Sequence, residues 1–281
     1  MENRECAVFA CAVSALIMTG TLQADDVSSG PFATDVIGYD AGTNGIAGFT
    51  NALTVLGSPE RFTGEGVFPG VVSPFNPAFG ADELFSLGSG GFLEVGFDHA
   101  IRDDAGNPFG IDFLIFGNAG FIDSQFPDGV VGDTPGMFGA GGEATVRVSQ
   151  NGLDWVTVET RALDLMPTMG YADSGAFDSA PGSVLTDFTR PVDPSLTLSD
   201  FAGLSLSQIV DVYDGSGGGI GFDLAGTGLE EISFIRLENH SGIAFEVDAF
   251  ADVSVPSPGG VVFFAPPGVF LLRRRRRSAS L

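Results

Sequence analysis

Four oxygen-bearing side chains stand at or near the ends of predicted strands: Asp112, Asn118, Glu143 and Asp248. Asp112 and Asn118 flank one apolar stretch, Glu143 leads into a hairpin, and Asp248 lies on the last predicted strand. Calcium takes about six to eight oxygen ligands, many of them from carboxylates and carbonyls. These residues are therefore a candidate structural Ca²⁺ site. The alternative is that they cap turns and accept backbone N–H groups, as short polar side chains at strand ends commonly do.

The other residue types that carry out catalysis or bind metals offer no organised site. His99 and His240 are the only histidines, so no His-x-x-x-His or His-x-His pair is available for zinc. No Gly-x-Ser-x-Gly segment is present to hold a nucleophilic serine. A glycosidase that uses two carboxylates is the one enzyme class that stays open, although no pair stands out among the many acidic residues. We therefore expect a protein without catalytic activity.

One short glycine-rich segment imitates a calcium motif. Residues 218–223 match the opening of the Gly-Gly-x-Gly-x-Asp repeat. That motif binds calcium through stacked copies, which share each ion between neighbouring turns. The chain has 41 glycines and only this copy, so we interpret the match as accidental.

The charge of the chain is strongly negative and unevenly distributed. The net charge is −24, all 12 basic residues are Arg, and residues 25–254 hold 34 of the 36 acidic residues but only 6 of the arginines. Such a surface repels nucleic acid and anionic lipid and attracts divalent cations. An acidic surface without lysine is also a salt-tolerance composition that needs no specific ligand. The charge argues against nucleic acid as a partner. It leaves open whether the acidic surface binds divalent cations or only confers salt tolerance.

The elements that must position these residues are β-strands. Val146 and Val148 alternate with polar residues, Asn151-Gly152 predicts a tight hairpin turn, and Trp155 opens an alternating return strand. This sequence resembles the central hairpin of discoidin-like, galactose-binding-type jelly rolls. If the protein binds polysaccharide, Trp155 and Tyr171 are candidate glycan contacts, because flat aromatic rings pack against the apolar face of a sugar.

Further strands are predicted where apolar residues alternate or run continuously. They cover residues 46–56, 92–98, 111–116, 231–237 and 245–253, with a short helix capped at Ser199 within 198–209. Loops rich in Gly and Pro separate them. Strands this far apart in sequence favour a sandwich over a meander. We predict an all-β fold, a single antiparallel β-sandwich of jelly-roll type over residues 46–254, with residues 25–45 as a linker that leads into it.

The N-terminal residues 1–24 have the features of a secretory signal peptide. Arg4 precedes an apolar run over residues 6–18, and Ala24 stands before Asp25-Asp26. Cys6 and Cys11, the only cysteines, lie inside this segment. Cleavage would therefore leave a mature protein without disulfides or thiolate metal sites.

The C-terminal residues 255–281 have three parts: a short Pro-containing motif, 14 mostly apolar residues and an arginine cluster. The motif and cluster residues are Val255, Pro256, Ser257, Pro258, Arg273, Arg274, Arg275, Arg276 and Arg277. A helix of 14 residues would be about 21 Å long, shorter than a bilayer core of roughly 30 Å. The arrangement resembles the PEP-CTERM class of bacterial sorting signals, with Ser257 where that class has Glu. The resemblance implies a transient membrane anchor and a membrane-bound sorting protease as a partner; the alternative is a permanent tail anchor.

Five stretches resemble, in order, those of secreted bacterial cell-surface proteins that carry such a signal. They are residues 56–59, 86–91, 112–118, 143–155 and 245–249, with Gly117 where that family usually has Glu. The resemblance implies an exported β-sandwich of the cell surface or extracellular matrix with a structural or adhesive role. Polysaccharide binding is the second expectation, and a carboxylate-pair glycosidase is a distant third.

Overall fold

Two antiparallel β-sheets packed against each other form the centre of the structure. The computed structural model describes residues 30–64, 70–163 and 165–253. Within these ranges the strands are β1 (Asp35–Asp40), β2 (Phe85–Leu87), β3 (Phe92–Arg102), β4 (Phe113–Gly117), β5 (Gly120–Phe121), β6 (Met137–Phe138), β7 (Glu143–Ser149), β8 (Val156–Ala162), β9 (Ile220–Phe222), β10 (Glu231–Asn239) and β11 (Phe245–Asp252).

The strand order places elements distant in sequence side by side. The first sheet has the order β1-β3-β10-β7-β8 and the second the order β2-β11-β4-β9, and β5 and β6 form a separate ribbon. Alternate residues of both sheets meet in one hydrophobic core, among them Val95, Val146, Ile235, Phe113, Ile115 and Val247. The prediction of an all-β fold with antiparallel sheets packed face to face is confirmed.

β4 and β11 form the centre of the second sheet and are buried on both faces. Phe113 and Ile115 of β4 belong to the main core, whereas Leu114 and Phe116 join a second cluster on the opposite face. Phe188, from the long connection after β8, covers that second cluster and contacts Phe116. The continuous apolar run at 111–116 predicted a central strand, and β4 indeed lies between β11 and β9. All eight residues of β11 are buried.

Two predictions in the first part of the domain differ from the structure. The stretch 46–56 is not a strand; it contains a 3-10 helix, Ala52–Val55, whose Leu53 N–H donates to the side chain of Asn51. β1 lies within the predicted linker 25–45, so the first sheet begins before residue 46. Gly38 interrupts the alternation of β1 at a bulge in its pairing with β3, which weakens the strand pattern in the sequence.

The predicted hairpin is present, but its turn is longer than expected. β7 ends at Ser149 and β8 begins at Val156. Of the two central residues only Gly152 has a positive φ, 71°. Asn151 shapes the turn through its side chain, which accepts the N–H groups of Leu153 and Asp154, each at 2.9 Å. The tight two-residue turn was therefore wrong, because the side chain of Asn151 replaces the second left-handed residue.

The predicted short helix also has different bounds. A 3-10 helix, Leu198–Phe201, follows Thr197, and the helix α1 (Leu206–Tyr213) follows Ser205. Each begins with a capping box rather than at Ser199. Gly203, with a φ of 72°, separates the two pieces.

The described chain begins and ends side by side at the amino end of β4. The N–H of Asp252 donates to the carbonyl of Pro31 at 2.7 Å, and Asp252 pairs with Phe113 in the sheet. The predicted signal peptide 1–24 and the predicted sorting signal 255–281 lie outside the described residues. Within the described ranges no helix combines the length and the apolar character needed to cross a bilayer.

Candidate functional site

The structure separates two of the four predicted calcium ligands, Asp112 and Asn118. Asp112 precedes β4 and Asn118 follows it, so the whole strand Phe113–Gly117 lies between them. Six residue steps of extended chain span roughly 20 Å, far more than the ~2.3–2.6 Å between Ca²⁺ and each ligand oxygen. One ion therefore cannot bind Asp112 and Asn118 together.

Glu143 and Asp248 have different surroundings from Asp112. Glu143 is the exposed first residue of β7 and pairs with Ala162. Asp248 lies in β11 at a bulge near Gly117, only 2% exposed, and both of its carboxylate oxygens face the N–H of Glu60 at 3.2 and 3.4 Å. The four residues therefore do not converge on one point.

Asp112 instead lies beside two other carboxylates. Asp103, at the end of β3, and Asp223, at the end of β9, each bring a carboxylate oxygen to within 4.8 Å of one on Asp112 and of one another. We call these three residues the acidic triad. Sequence reasoning found one member, Asp112; Asp223 was visible only as the last residue of the glycine-rich segment at 218–223.

Packing explains the glycines of that segment. A Cβ on Gly219 would lie 2.8 Å from the ring of Phe116, and one on Gly218 would lie 2.3 Å from the carbonyl of Pro167. Both residues also have positive φ, 84° and 87° respectively. The close approach of β9 to β4 therefore accounts for the glycines without any calcium repeat.

Asp112 ties two loops to the end of the second sheet. Its Oδ1 accepts the N–H of Asp104 at 3.0 Å and the side-chain amide of Asn107 at 3.1 Å, while Oδ2 accepts the N–H of Leu224 at 2.8 Å. Burial raises the pKa of Asp112, and the charge of Asp103 adds to this, although the three hydrogen bonds oppose it. This is the turn-capping role that the sequence left open. One of its oxygens also lies beside two exposed carboxylates, which is the chemistry that a hard cation requires.

Calcium binding at the acidic triad is testable by thermal unfolding. If calcium binds there, excess ion stabilises the folded state by about 2.7 kcal/mol when its concentration is 100 times Kd. The melting temperature then rises. The full chain is melted in chelator and in millimolar calcium. Asp223→Asn should abolish the rise, and Asp211→Asn, on the exposed face of α1, should preserve it. Equal melting temperatures in chelator and calcium would contradict the prediction.

A second acidic group surrounds Asp248. Burial raises its pKa well above the usual range, and the charges of Glu60 and Glu83 add to that effect. Burial also raises the pKa of Glu60 and of Glu83. Shifted carboxyl groups occur at catalytic sites, but Asp248 lies within the sheet and is almost completely closed to a substrate. We interpret this group as structural.

The two predicted glycan contacts lie on different parts of the surface. Trp155 is the half-buried last residue of the hairpin turn, outside β8. Tyr171 is half-buried in the connection after β8, edge-to-face with the exposed Phe62 at 6.3 Å between ring centroids. Arg61 lies 5.7 Å from the Tyr171 ring and 4.1 Å from that of Phe188.

A concave surface rich in phenylalanine was not predicted. A concave region of about 340 Å³ opens between the segment that precedes β2 and the segments that follow β4 and β8. Its apolar lining consists of Phe75, Phe121, Ile122, Phe126, Phe138 and Phe177, and we call it the aromatic groove. Phe121 is fully buried and forms the floor, whereas Phe126 is 69% exposed and packs on Phe177 at 4.9 Å. Exposed apolar concavities of this kind usually mark binding sites.

Local geometry holds the walls of the aromatic groove in place. The ribbon of β5 and β6 brings Phe138 over Gly120, where a Cβ would lie 2.6 Å from the Phe138 ring. The N–H of Phe121 donates to the carbonyl of Pro74 at 2.8 Å, which fixes the floor. Asp123 shapes the loop that carries Phe126, because its carboxylate accepts the N–H groups of Gln125, Gly129 and Val130 at 2.8–3.0 Å.

Comparison with known proteins assigns no role to these features. Neither a scan against protein-family models nor a search of curated proteins finds a match for the chain. The aromatic groove and the acidic triad are therefore interpreted from their own residues.

Proposed function

We propose that the chain is an exported, non-catalytic structural or adhesive protein of the bacterial cell surface or extracellular matrix, whose jelly-roll-type sandwich binds a partner through the aromatic groove. The groove is the observation that carries this proposal. Its walls expose Ile122, Phe126 and Phe138 to solvent. A contiguous apolar surface of this kind is typical of an interaction site.

The position of the chain ends supports an adhesive role. Pro31 and Asp252 lie together at the amino end of β4. One of the segments that build the groove follows the carboxyl end of β4 and carries Phe121. A tether through the predicted sorting signal would therefore leave from the amino end of β4. Such an attachment leaves the groove free to face outward.

The chemistry of the groove favours an apolar partner over a sugar. Sugar sites combine aromatic rings with polar groups that bind hydroxyls. The one carboxylate lining the groove, Asp123, is occupied by three backbone N–H groups. Polysaccharide binding is kept as the second candidate because Trp155 and Tyr171 are both partly exposed.

Export is tested on the native protein. We expect mass spectrometry to find the N-terminus at or near Asp25 and the protein outside the cytoplasmic membrane, because residues 1–24 have the pattern of a cleaved signal. An intact Met1 in the cytoplasmic fraction would contradict export.

Adhesion is tested by retention of the protein on its own cells or matrix. We expect Phe126→Ser to reduce retention at least ten-fold, and Leu153→Ser, at an 82% exposed position of the hairpin turn, to leave it unchanged. Equal retention of the two variants would contradict the role of the groove. A glycan array tests the second candidate: micromolar binding to one glycan class that is lost in Trp155→Ala or Tyr171→Ala would favour the polysaccharide function.

A further inference from the structure

The segments that build the aromatic groove carry charge of one sign. They are residues 70–79, 119–139 and 173–182, and they contain no Arg. Their acidic residues are Asp123, Asp128, Asp133, Asp173 and Asp178. All except Asp123, which is half-buried, are exposed. The segments that build this apolar concavity therefore carry carboxylates and no side-chain cation.

Local hydrogen bonds keep two of these carboxylates ionised. Burial opposes ionisation of Asp123, but three backbone N–H groups outweigh it and lower its pKa. The backbone N–H groups of Ser183 and Val184 and the Ser183 hydroxyl lower the pKa of Asp173. These two carboxylates of the groove-building segments therefore keep their negative charge at mildly acidic pH.

The arginines elsewhere do not compensate this charge. Each of the six in the described ranges already has partners: Arg102, Arg147, Arg161, Arg190 and Arg236 pair with carboxylates, and Arg61 donates to the carbonyls of Gly170 and Thr186. The guanidinium groups of all six arginines are therefore already engaged in these contacts. Among the described residues, a positive ligand at the groove therefore meets little competition from arginine.

On the basis of the proposed function, we propose that the groove binds a segment of another protein that presents an aromatic or branched aliphatic anchor flanked by Lys or Arg. The anchor packs against the Phe126–Phe177 pair, over the floor at Phe121. The flanking cations face the exposed carboxylates of Asp128 and Asp133. Complementary charge gives speed and selectivity of association, and the apolar anchor gives affinity.

The same charge excludes other occupants. The sandwiches of two copies repel each other, because residues 25–254 of each copy hold 34 acidic residues and only 6 arginines. Nucleic acid and anionic membranes are repelled for the same reason. Among apolar partners, the acidic segments of the groove therefore favour one that carries Lys or Arg.

Fluorescence anisotropy with three labelled 12-residue peptides tests this. One has a Phe-Leu-Leu centre flanked by Arg, one replaces Arg by Glu, and one replaces the centre by Ser. We expect the full chain to bind the first at least ten-fold more tightly than either other, with affinity falling as salt rises from about 50 to 500 mM. A chain with Arg273–Arg277 changed to Ser, used in parallel, removes the protein's own basic cluster as a competitor.

Variants assign the binding to the groove. Phe126→Ser should weaken the Arg-flanked peptide at least ten-fold, Asp128→Asn with Asp133→Asn should weaken it mainly at low salt, and Leu153→Ser should have no effect. Equal binding of the Arg- and Glu-flanked peptides, or binding unaffected by Phe126→Ser, would overturn the inference. If Phe126→Ser still abolishes retention on cells, the proposed function stands and only the partner chemistry is wrong.

Discussion

Replacing Asp112 by Ala should destabilise the protein more than any other single carboxylate substitution at the acidic triad. The side chain is fully buried and accepts three N–H groups from two loops. An N–H group left without an acceptor costs roughly 1–3 kcal/mol where it is buried, as that of Leu224 is, and less where it is partly exposed, as at Asp104 and Asn107. We therefore expect a loss of about 3 kcal/mol. For a domain of this size that lowers the melting temperature by about 6 °C or more.

Asp103→Ala is the matched control for this prediction. Asp103 is an exposed member of the same triad, and its removal takes away repulsion from Asp112. Urea unfolding in chelator separates the hydrogen-bonding role from any effect of calcium. If Asp112→Ala and Asp103→Ala unfold at the same urea concentration, Asp112 does not tie the two loops as its contacts indicate.

Replacing Asp248 by Asn should instead stabilise the protein at neutral pH. Burial, with the charges of Glu60 and Glu83, raises the pKa of Asp248 in the folded state. The folded state therefore binds this proton more tightly than the unfolded state, where the pKa is about 3.9. The stability of the unsubstituted protein accordingly falls as pH rises from about 4 through the folded pKa. Asn keeps an oxygen for the Glu60 N–H and carries no charge.

Thermal unfolding between pH 4 and pH 8 checks this prediction. We expect Asp248→Asn to melt several degrees higher at pH 7–8, with the difference narrowing toward pH 4, where the native carboxyl is protonated. Asp211→Asn, which removes one exposed charge, should give a small change that does not follow this pH profile. A gain that is constant with pH, or a loss at neutral pH, would contradict the burial argument.

Local patterns in the sequence predicted the long strands of this protein well. The alternation around Val146 and Val148 and the continuous apolar run at 111–116 reflect the faces that β7 and β4 bury. β1 was missed because Gly38 breaks its period at a bulge, and β9 because it is three residues long and contains Gly221. Short strands of this kind are specified by packing against distant residues rather than by their own sequence.

The candidate sites were harder to predict because distant segments assemble them. Asp112 was recognised as a buried oxygen donor, but its neighbours Asp103 and Asp223 come from the ends of two other strands. The aromatic groove combines Phe75, Phe121 and Phe177 from three separate connections. In the sequence these residues are indistinguishable from the many other phenylalanines of the core.

The place of β11 has a mechanical consequence. A surface protein that adheres is pulled between its anchor and its partner, and here the chain leaves toward the predicted anchor through β11. That strand is hydrogen-bonded on both sides, to β2 and to β4, and none of its residues is exposed. Tension applied beyond Val253 must therefore break two hydrogen-bonded ladders and expose the core to pull β11 out. Under the proposed adhesive function, a sandwich pulled at its C-terminal end would therefore resist unravelling from an edge.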